Sequence, residues 1–275
     1  MILRRSRQLD PRLFQIASLG ALLAANIAWF DFGARPGQSV VMLLAALLAQ
    51  AGFCRLFAVP LDWRSPLVTG LSLSLLLRTN LPPLWVAAPV LAIGSKFLLR
   101  VRGKHVFNPA AFAIVALLLG VDGVWVSPGQ WGAAAWLALF VASAGGLVLT
   151  RSTRLDTAAG FLLCFGGLLA WRAWSLGDPW AIPLHQMQAG SLLLFAFFMV
   201  TDPRSTPDSR AGRMLFVAAV SALAYHLMFA WQLRPGLYYA LVVVSCLTPL
   251  IDLLLPARRF RWQRPAAQNP SSQEA

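Results

Sequence analysis

Residues 75–83 read Leu-Leu-Leu-Arg-Thr-Asn-Leu-Pro-Pro, and residues 197–204 read Phe-Phe-Met-Val-Thr-Asp-Pro-Arg. In each stretch an apolar run ends at threonine plus a small polar residue, and proline follows. The runs begin after Arg64 and His185, so both are shorter than the roughly 20 residues of a full membrane crossing. Paired short segments in the two halves of a chain indicate a membrane site at a repeat interface. The alternative is that two helices simply end where proline prevents their continuation.

The composition determines the class of protein. The chain has 275 residues, of which 58% are hydrophobic and 12% are charged, whereas soluble domains carry about 25% charged residues. Its mean hydropathy is +0.66. These values predict an all-α polytopic membrane protein embedded in the lipid bilayer. The basic N-terminus leads into a full-length apolar segment without a cleavage site, so no cleaved signal peptide is expected.

Hydropathy predicts about ten transmembrane helices, at 13–33, 38–58, 65–78, 82–100, 107–121, 131–150, 156–175, 187–201, 213–232 and 236–255. If the N-terminus is cytoplasmic and the spans alternate, all 23 Lys and Arg residues fall inside except Arg35, Arg78, Arg172 and Arg234. This sorting follows the positive-inside rule and places both termini in the cytoplasm of a bacterium, with the chain in its cytoplasmic (inner) membrane. The net charge of +13 is thus explained by membrane orientation, and no nucleic-acid partner is predicted.

Five spans in each half require the halves to be inverted, because the first span starts inside and the sixth starts outside. The predicted membrane domain covers 13–255, with repeat one at 13–121 and repeat two at 131–255. Helices three and eight are the short or broken ones. A basic cytoplasmic N-terminus (1–12) precedes this domain, and a basic and then disordered cytoplasmic tail (256–275) follows it.

Besides Thr79-Asn80 at the end of the third span, two polar stretches at span ends are candidate binding sites. At the start of the fifth span, Asn108 suits a helix cap and Pro109 the first helical position. An equally weighted interpretation is an anion site at the helix start, with Lys104 adding charge. After the eighth span, Asp202 either initiates a proline-rich turn or, with the neighbouring hydroxyls, binds a polar ligand or a cation.

Lone ionisable residues near span ends are a weaker signal, because snorkelling to the interface explains them as well as function does. They are Lys96, Asp156, Arg172 and Asp252. The sequence contains no nucleotide-binding glycine motif, zinc-protease motif or nucleophile elbow. It also lacks a C-x-x-C pair. We therefore predict no catalytic residue and no metal ligand.

Three motifs resemble those of the NqrB/RnfD family: F-N-P-A at 107–110, F-F-M-V-T-D-P at 197–203 with Gly212-Arg213 after it, and L-T-P-L-I-D at 247–252 before basic residues. The family comprises membrane subunits of the sodium-pumping NADH:quinone oxidoreductase and of the Rnf electron-transport complex. The resemblance spans about residues 65–260 and implies ten helices in two inverted five-helix repeats, as the charge sorting does independently. The chain looks like a shortened, stand-alone relative of these subunits.

One departure from the family concerns its covalent flavin. In the family, threonine in an S-G-A-T-like motif carries FMN in the outer loop after the F-N-P-A helix. Here that loop, 121–130, contains no threonine, and Ser127 is not in such a motif. We therefore expect no covalent FMN. The resemblance implies instead a flavin (FMN or riboflavin) or a quinone bound non-covalently between the repeats.

The leading functional hypothesis is a membrane subunit of an electron-transport system, working with other membrane subunits and coupling redox chemistry to ion transport. At most, the chain would be part of an oxidoreductase, since it carries no self-contained catalytic motif. The alternatives are a stand-alone transporter or channel for a small solute or ion, favoured by the missing flavin motif, and a scaffold for other subunits. The predicted ligand-binding or ion-binding residues are Thr79, Asn80, Lys104, Phe107, Asn108, Thr201 and Asp202.

Overall fold

A computed structural model describes residues 10–30, 33–127 and 154–260. The predicted span 131–150, the first nine residues and the tail beyond residue 260 lie outside the described residues. The helices of the first half are α1 (Pro11–Ala25, continued by a π-helical turn, Asn26–Phe30), α2 (Pro36–Leu56), α3 (Arg64–Leu76), α4 (Pro83–Leu98) and α5 (Pro109–Gly120).

The second half begins with one long helix and continues with shorter ones. Its described helices are α6 (Leu155–Leu176), α7 (Ala181–Met187), α8 (Gly190–Leu194, continued by a π-helical turn, Phe195–Met199), α9 (Arg210–Phe229), α10 (Gly236–Ser245) and α11 (Thr248–Leu254).

Four of the described helical segments are long and apolar enough to cross a membrane: Pro11–Trp29, Pro36–Leu56, Leu155–Leu176 and Arg210–Phe229. Two bent pairs, α7 with α8 and α10 with α11, raise the number to six if each pair forms one span. The bends are 49° and 47°. The shorter helices α4 and α5 are apolar as well. The prediction of a helical polytopic membrane protein is thus confirmed.

The two stretches that end at threonine have different backbones. The first is α3, with 13 residues, which passes directly into a strand, β1 (Leu77–Thr79). The second ends in the π-helical turn after α8. Strand β1 pairs antiparallel with β4 (Val124–Val126), a pairing that the hydropathy did not predict, because a short apolar run fits a strand and a helix end equally well.

A second ribbon lies between α4 and α5. Strands β2 (Arg100–Val101) and β3 (Lys104–His105) pair antiparallel and are joined by Arg102 and Gly103, whose φ angles are 52° and 78°. Positive φ at both central residues is the geometry of a type I′ turn, which favours glycine. This turn directs His105 and the following segment back towards the helix ends.

The helices pack pairwise in both halves. In the first half α4 lies against α2 and α5, and in the second half α9 lies against α6 and α10. The two halves meet where α5 contacts α10. The larger hydrophobic core includes buried side chains from both halves, among them Ile114, Phe161, Phe195 and Phe216. This core joins the two halves, and a smaller second cluster of Ala46, Cys54, Ile93 and Phe97 packs α2 against α4.

The close approach of α9 and α10 requires glycine at position 236. A Cβ atom on Gly236 would lie 2.6 Å from Met228 Cγ and 3.2 Å from the Ala224 carbonyl oxygen. Gly236→Ala is therefore expected to destabilise the protein by about 1–3 kcal/mol through overpacking. Thermal unfolding in detergent measures this effect. Gly167→Ala in α6 is the matched control, because a Cβ there meets nothing within 4 Å. Equal unfolding midpoints for the two variants would show that the contact between α9 and α10 does not require glycine at position 236.

Candidate functional site

Helix ends from both halves surround a partly open cavity of about 100 Å³. The N-terminal turns of α1, α3 and α5, the C-terminal turn of α4 and the segment after the π-helical turn 195–199 all contribute to its wall. The polar residues that line it are Arg12, Gln15, Ser65, Thr69, Ser72, Lys96, His105, Asn108, Thr201, Asp202 and Arg204. Three of the seven predicted site residues, Asn108, Thr201 and Asp202, therefore share one cavity.

Asp202 both shapes its turn and lines the cavity. Its Oδ1 accepts a hydrogen bond from the Arg204 backbone N–H at 3.1 Å, and its backbone oxygen accepts from the Thr206 N–H and hydroxyl. These bonds form the turn that the sequence predicted for this residue. The other carboxylate oxygen, Oδ2, accepts from the Ser205 hydroxyl at 3.1 Å. One carboxylate thus organises the turn and supplies a cavity wall.

His105 pairs with Asp202 across the two halves. Its Nε2 lies 3.4 Å from Asp202 Oδ2. Burial alone raises the pKa of Asp202, but the hydrogen bond and charge of His105, with the bonds from the Arg204 N–H and Ser205, lower it below its ordinary value overall. The Asp202 side chain is therefore a carboxylate at neutral pH.

Asn108 caps α5 and connects it to the second half. Its Oδ1 accepts from the Ala111 N–H at 3.1 Å, and Pro109 occupies the first turn, so the capping role predicted from the sequence is confirmed. Its Nδ2 lies 3.5 Å from the Met199 carbonyl oxygen, at the end of the π-helical turn. Thr201, nearby, donates its hydroxyl proton to the Phe197 carbonyl at 2.7 Å.

Loss of the Asn108 cap has a predictable cost. Asn108→Ala is expected to lower the free energy of unfolding by about 1 kcal/mol, because the Ala111 N–H loses its acceptor. Asn108→Asp keeps the acceptor and should retain most of the stability. Thermal unfolding of the purified variants measures both, with the exposed Asn80→Ala as the matched control. A midpoint for Asn108→Ala equal to that of Asn80→Ala would show that the cap contributes nothing.

Lys96 is a cation buried in the cavity wall. It is 6% exposed, and its Nζ donates to Gln50 Oε1 and Ser65 Oγ, each at 3.1 Å. Among the described residues no carboxylate lies within ion-pair distance of it. The sequence singled out Lys96 as one of four lone ionisable groups but gave no reason to prefer it. Its partners lie 46 and 31 residues away.

Lys104 lies in a separate ion-pair cluster. Its Nζ is 2.8 Å from Asp252 Oδ2 and 3.3 Å from Asp208 Oδ2, and it donates to the Thr206 carbonyl at 2.6 Å. Asp252 also accepts from the Asp208 N–H at 2.8 Å. Lys104 therefore fastens the β2–β3 ribbon to the loop before α9 and to α11, and it is not among the residues that line the cavity.

The other predicted residues lie apart from the cavity lining. Phe107 stacks on Phe112 with ring centroids 5.2 Å apart. Thr79 is buried in the β1–β4 ribbon, where its hydroxyl oxygen accepts from the Leu81 N–H at 3.1 Å, and Asn80 is exposed. The structure thus brings the segment after α8 together with the start of α5, and does not bring Thr79 and Asn80 to the same cavity.

Sequence reasoning did not include Arg12, Lys96, His105 and Arg204 among the predicted site residues. His105 carries a usable signal, since it stands three residues before the Asn108 cap and just after the Arg102-Gly103 turn. Within the described residues no three His, Cys, Asp or Glu side chains converge as metal ligands would.

The sequence matches the model of the NQR2, RnfD, RnfE family over residues 121–261. It is 31% identical over 315 residues to a subunit of the ion-translocating oxidoreductase complex of Pseudomonas paraeruginosa, covering 91% of this chain and 88% of that protein. It is 25% identical over 295 residues to a subunit of the proton-translocating ferredoxin:NAD(+) oxidoreductase complex of Clostridium ljungdahlii, covering 88% of each. The predicted resemblance is thus confirmed, and this chain belongs to the NQR2, RnfD, RnfE family.

Proposed function

We propose that this chain is a membrane subunit of an ion-translocating electron-transport complex. The observation that carries the proposal is its similarity, over about nine-tenths of its length, to a subunit of such a complex. The relatives are named as subunits, which favours partners in the membrane over the stand-alone transporter or scaffold. The spans described above agree with this location.

The proposal includes a bacterial inner-membrane location, cytoplasmic termini and two inverted repeats. In support, the second and fourth spans of each predicted half pack together, as α2 with α4 and α6 with α9, and so do the fourth and fifth, as α4 with α5 and α9 with α10. Arg12, at the beginning of α1, pairs with Asp62, which lies just before α3.

A reporter fused to the C-terminus tests the proposed orientation. We expect the activity of a cytoplasmic reporter, and a periplasmic readout would reject cytoplasmic termini.

A non-covalent flavin is part of the same proposal, and the cavity fits only its polar end. The hydroxyl, amide and basic groups on the cavity wall suit ribityl hydroxyls or a phosphate. However, the volume of about 100 Å³ is below the roughly 150 Å³ of a cavity that holds one benzene, so a three-ring flavin is not enclosed by it. A bound flavin would supply electron transfer. The part assigned here to Asn108, Thr201 and Asp202 is to hydrogen-bond a polar group.

The test is isolation of the tagged chain from its native membrane in mild detergent, followed by acid precipitation. We expect partner subunits to copurify and a flavin spectrum to appear in the supernatant. Flavin retained in the protein pellet would contradict non-covalent binding. A colourless chain that purifies alone, from membranes active in ion-coupled electron transfer, would contradict the subunit role and favour solute transport.

A further inference from the structure

We propose that the cavity between the helix ends binds a phosphate group, held by Lys96 and Arg204 and by the hydroxyl groups of Ser65 and Ser72. The proposal does not depend on the electron-transport role, because it rests on the charges and donors that surround the cavity.

The charges around the cavity leave an excess of positive charge. The guanidinium groups of Arg12 and Arg64 balance the carboxylates of Asp10 and Asp62, and the Asp202 carboxylate lies 3.4 Å from His105 Nε2. No carboxylate of the described chain lies within ion-pair distance of Lys96 or Arg204. With His105 counted as neutral, the cavity-lining Lys96 and Arg204 exceed the Asp202 carboxylate by one positive charge, so the field inside the cavity favours an anion.

The buried ammonium group of Lys96 has one N–H donor without a protein acceptor among the described residues. A buried ammonium group is costly unless it is paired or fully hydrogen-bonded. Lys96 has three N–H donors, of which Gln50 and Ser65 accept two. Both acceptors are neutral, and the side chain borders the cavity. An anion in the cavity would supply the missing acceptor and the missing negative charge together.

Three helices point their N-terminal ends at the cavity. The N-terminal turns of α1, α3 and α5 all border the cavity, through Arg12, Ser65 and Ala110 respectively. Helix N-termini carry partial positive charge, which favours anions. The N–H groups of Arg12, Arg64 and Ala111 already donate to Asp10, Asp62 and Asn108, so these three helices contribute their partial charge rather than those donors. The wall also presents the hydroxyl groups of Ser65 and Ser72, which can donate hydrogen bonds to phosphate oxygens. The hydroxyl protons of Thr69 and Thr201 already bond backbone carbonyls.

Like charges also converge just beyond the lining. Burial, and after it repulsion from the Arg204 guanidinium, lower the pKa of Arg100. The Arg100 side chain donates to the Lys96 carbonyl, which fixes it beside the cavity. A phosphate dianion would relieve this repulsion. The volume of about 100 Å³ is several times the roughly 10–15 Å³ that a cavity needs to hold one water, which suits a small tetrahedral oxyanion.

The test is calorimetric titration of the full-length protein in detergent with inorganic phosphate, at constant ionic strength and with chloride as the reference anion. We expect saturable phosphate binding that Lys96→Gln weakens at least about tenfold, because it removes a charged hydrogen bond. Arg35→Gln is the matched control, since it removes one positive charge from an exposed position outside the cavity. Arg204→Gln tests the opposite wall, should Lys96→Gln fail to fold.

Three results would overturn the proposal: no saturable phosphate binding to the unmodified protein, equal binding of chloride, or equal weakening by Arg35→Gln. Competition with flavins distinguishes two sources of the phosphate group. If FMN displaces phosphate and riboflavin does not, the cavity holds the phosphate of a flavin nucleotide. If neither flavin competes, it holds free phosphate. Failure to bind phosphate would leave the electron-transport role untouched, since copurification of partner subunits tests that separately.

Discussion

Replacing Lys104 by methionine is expected to cause the largest loss of stability of any single change considered for this protein. The ammonium group lies between Asp208 and Asp252, and the side chains of Lys104 and Asp208 are 9% and 8% exposed. Its removal leaves two carboxylates close together without their cation. Breaking a buried pair in this way costs about 3–5 kcal/mol. Thermal unfolding of the detergent-purified protein measures the effect as a lower midpoint.

The control for Lys104 is an exposed pair. Arg172 lies 3.2 Å from Asp178, but both side chains are about one-third exposed, so Arg172→Gln is expected to change stability by at most about 1 kcal/mol. A double-mutant cycle with Asp252→Asn adds a second check. The two substitutions should be strongly non-additive, because the second removes a charge that the first left unpaired. If the effects of Lys104→Met and Asp252→Asn on stability are additive, the ion pairs of Lys104 do not hold the β2–β3 ribbon to α11. The same follows if Lys104→Met lowers the unfolding midpoint no more than Arg172→Gln does.

Asp202→Asn is expected to reduce ion-coupled electron transfer at least about tenfold, which corresponds to about 1.4 kcal/mol, while the folded protein remains in the membrane. The amide oxygen can still accept from the Arg204 N–H, so the turn is retained. The negative charge facing His105 at 3.4 Å is lost. Inverted membrane vesicles containing the whole complex provide the assay, with ion uptake and electron transfer recorded together.

Asp122→Asn is the matched control for Asp202, because it makes the same substitution at an exposed residue in the loop after α5. Thr201→Ala is a second probe of the same segment, since its hydroxyl bonds the Phe197 carbonyl and the residue lines the cavity. Full activity of both Asp202→Asn and Thr201→Ala would show that this segment is not part of the functional site. Loss of the protein from the membrane would assign Asp202 to folding instead.

Local rules predicted the features that depend on neighbouring residues. The Asn108 cap with Pro109 behind it and the turn started by Asp202 both follow from side chains that bond backbone groups within a few positions. Hydropathy likewise predicted the long spans, because burial in lipid requires continuous apolar segments. The β1–β4 ribbon was not predicted, since its strands begin 47 residues apart, at Leu77 and Val124, and strand pairing leaves little trace in so short a run.

The sequence by itself determined that this protein is a helical membrane protein of a particular family, because composition, hydropathy and contiguous motifs are properties of the chain alone. Only the tertiary structure decided which polar residues share a site. It placed Lys104 with Asp208 and Asp252, and it placed Lys96 on the same cavity as Asn108 and Asp202. The reason is physical: the partner of a buried charge is chosen by packing between helices that are distant in sequence, and no local pattern encodes that choice.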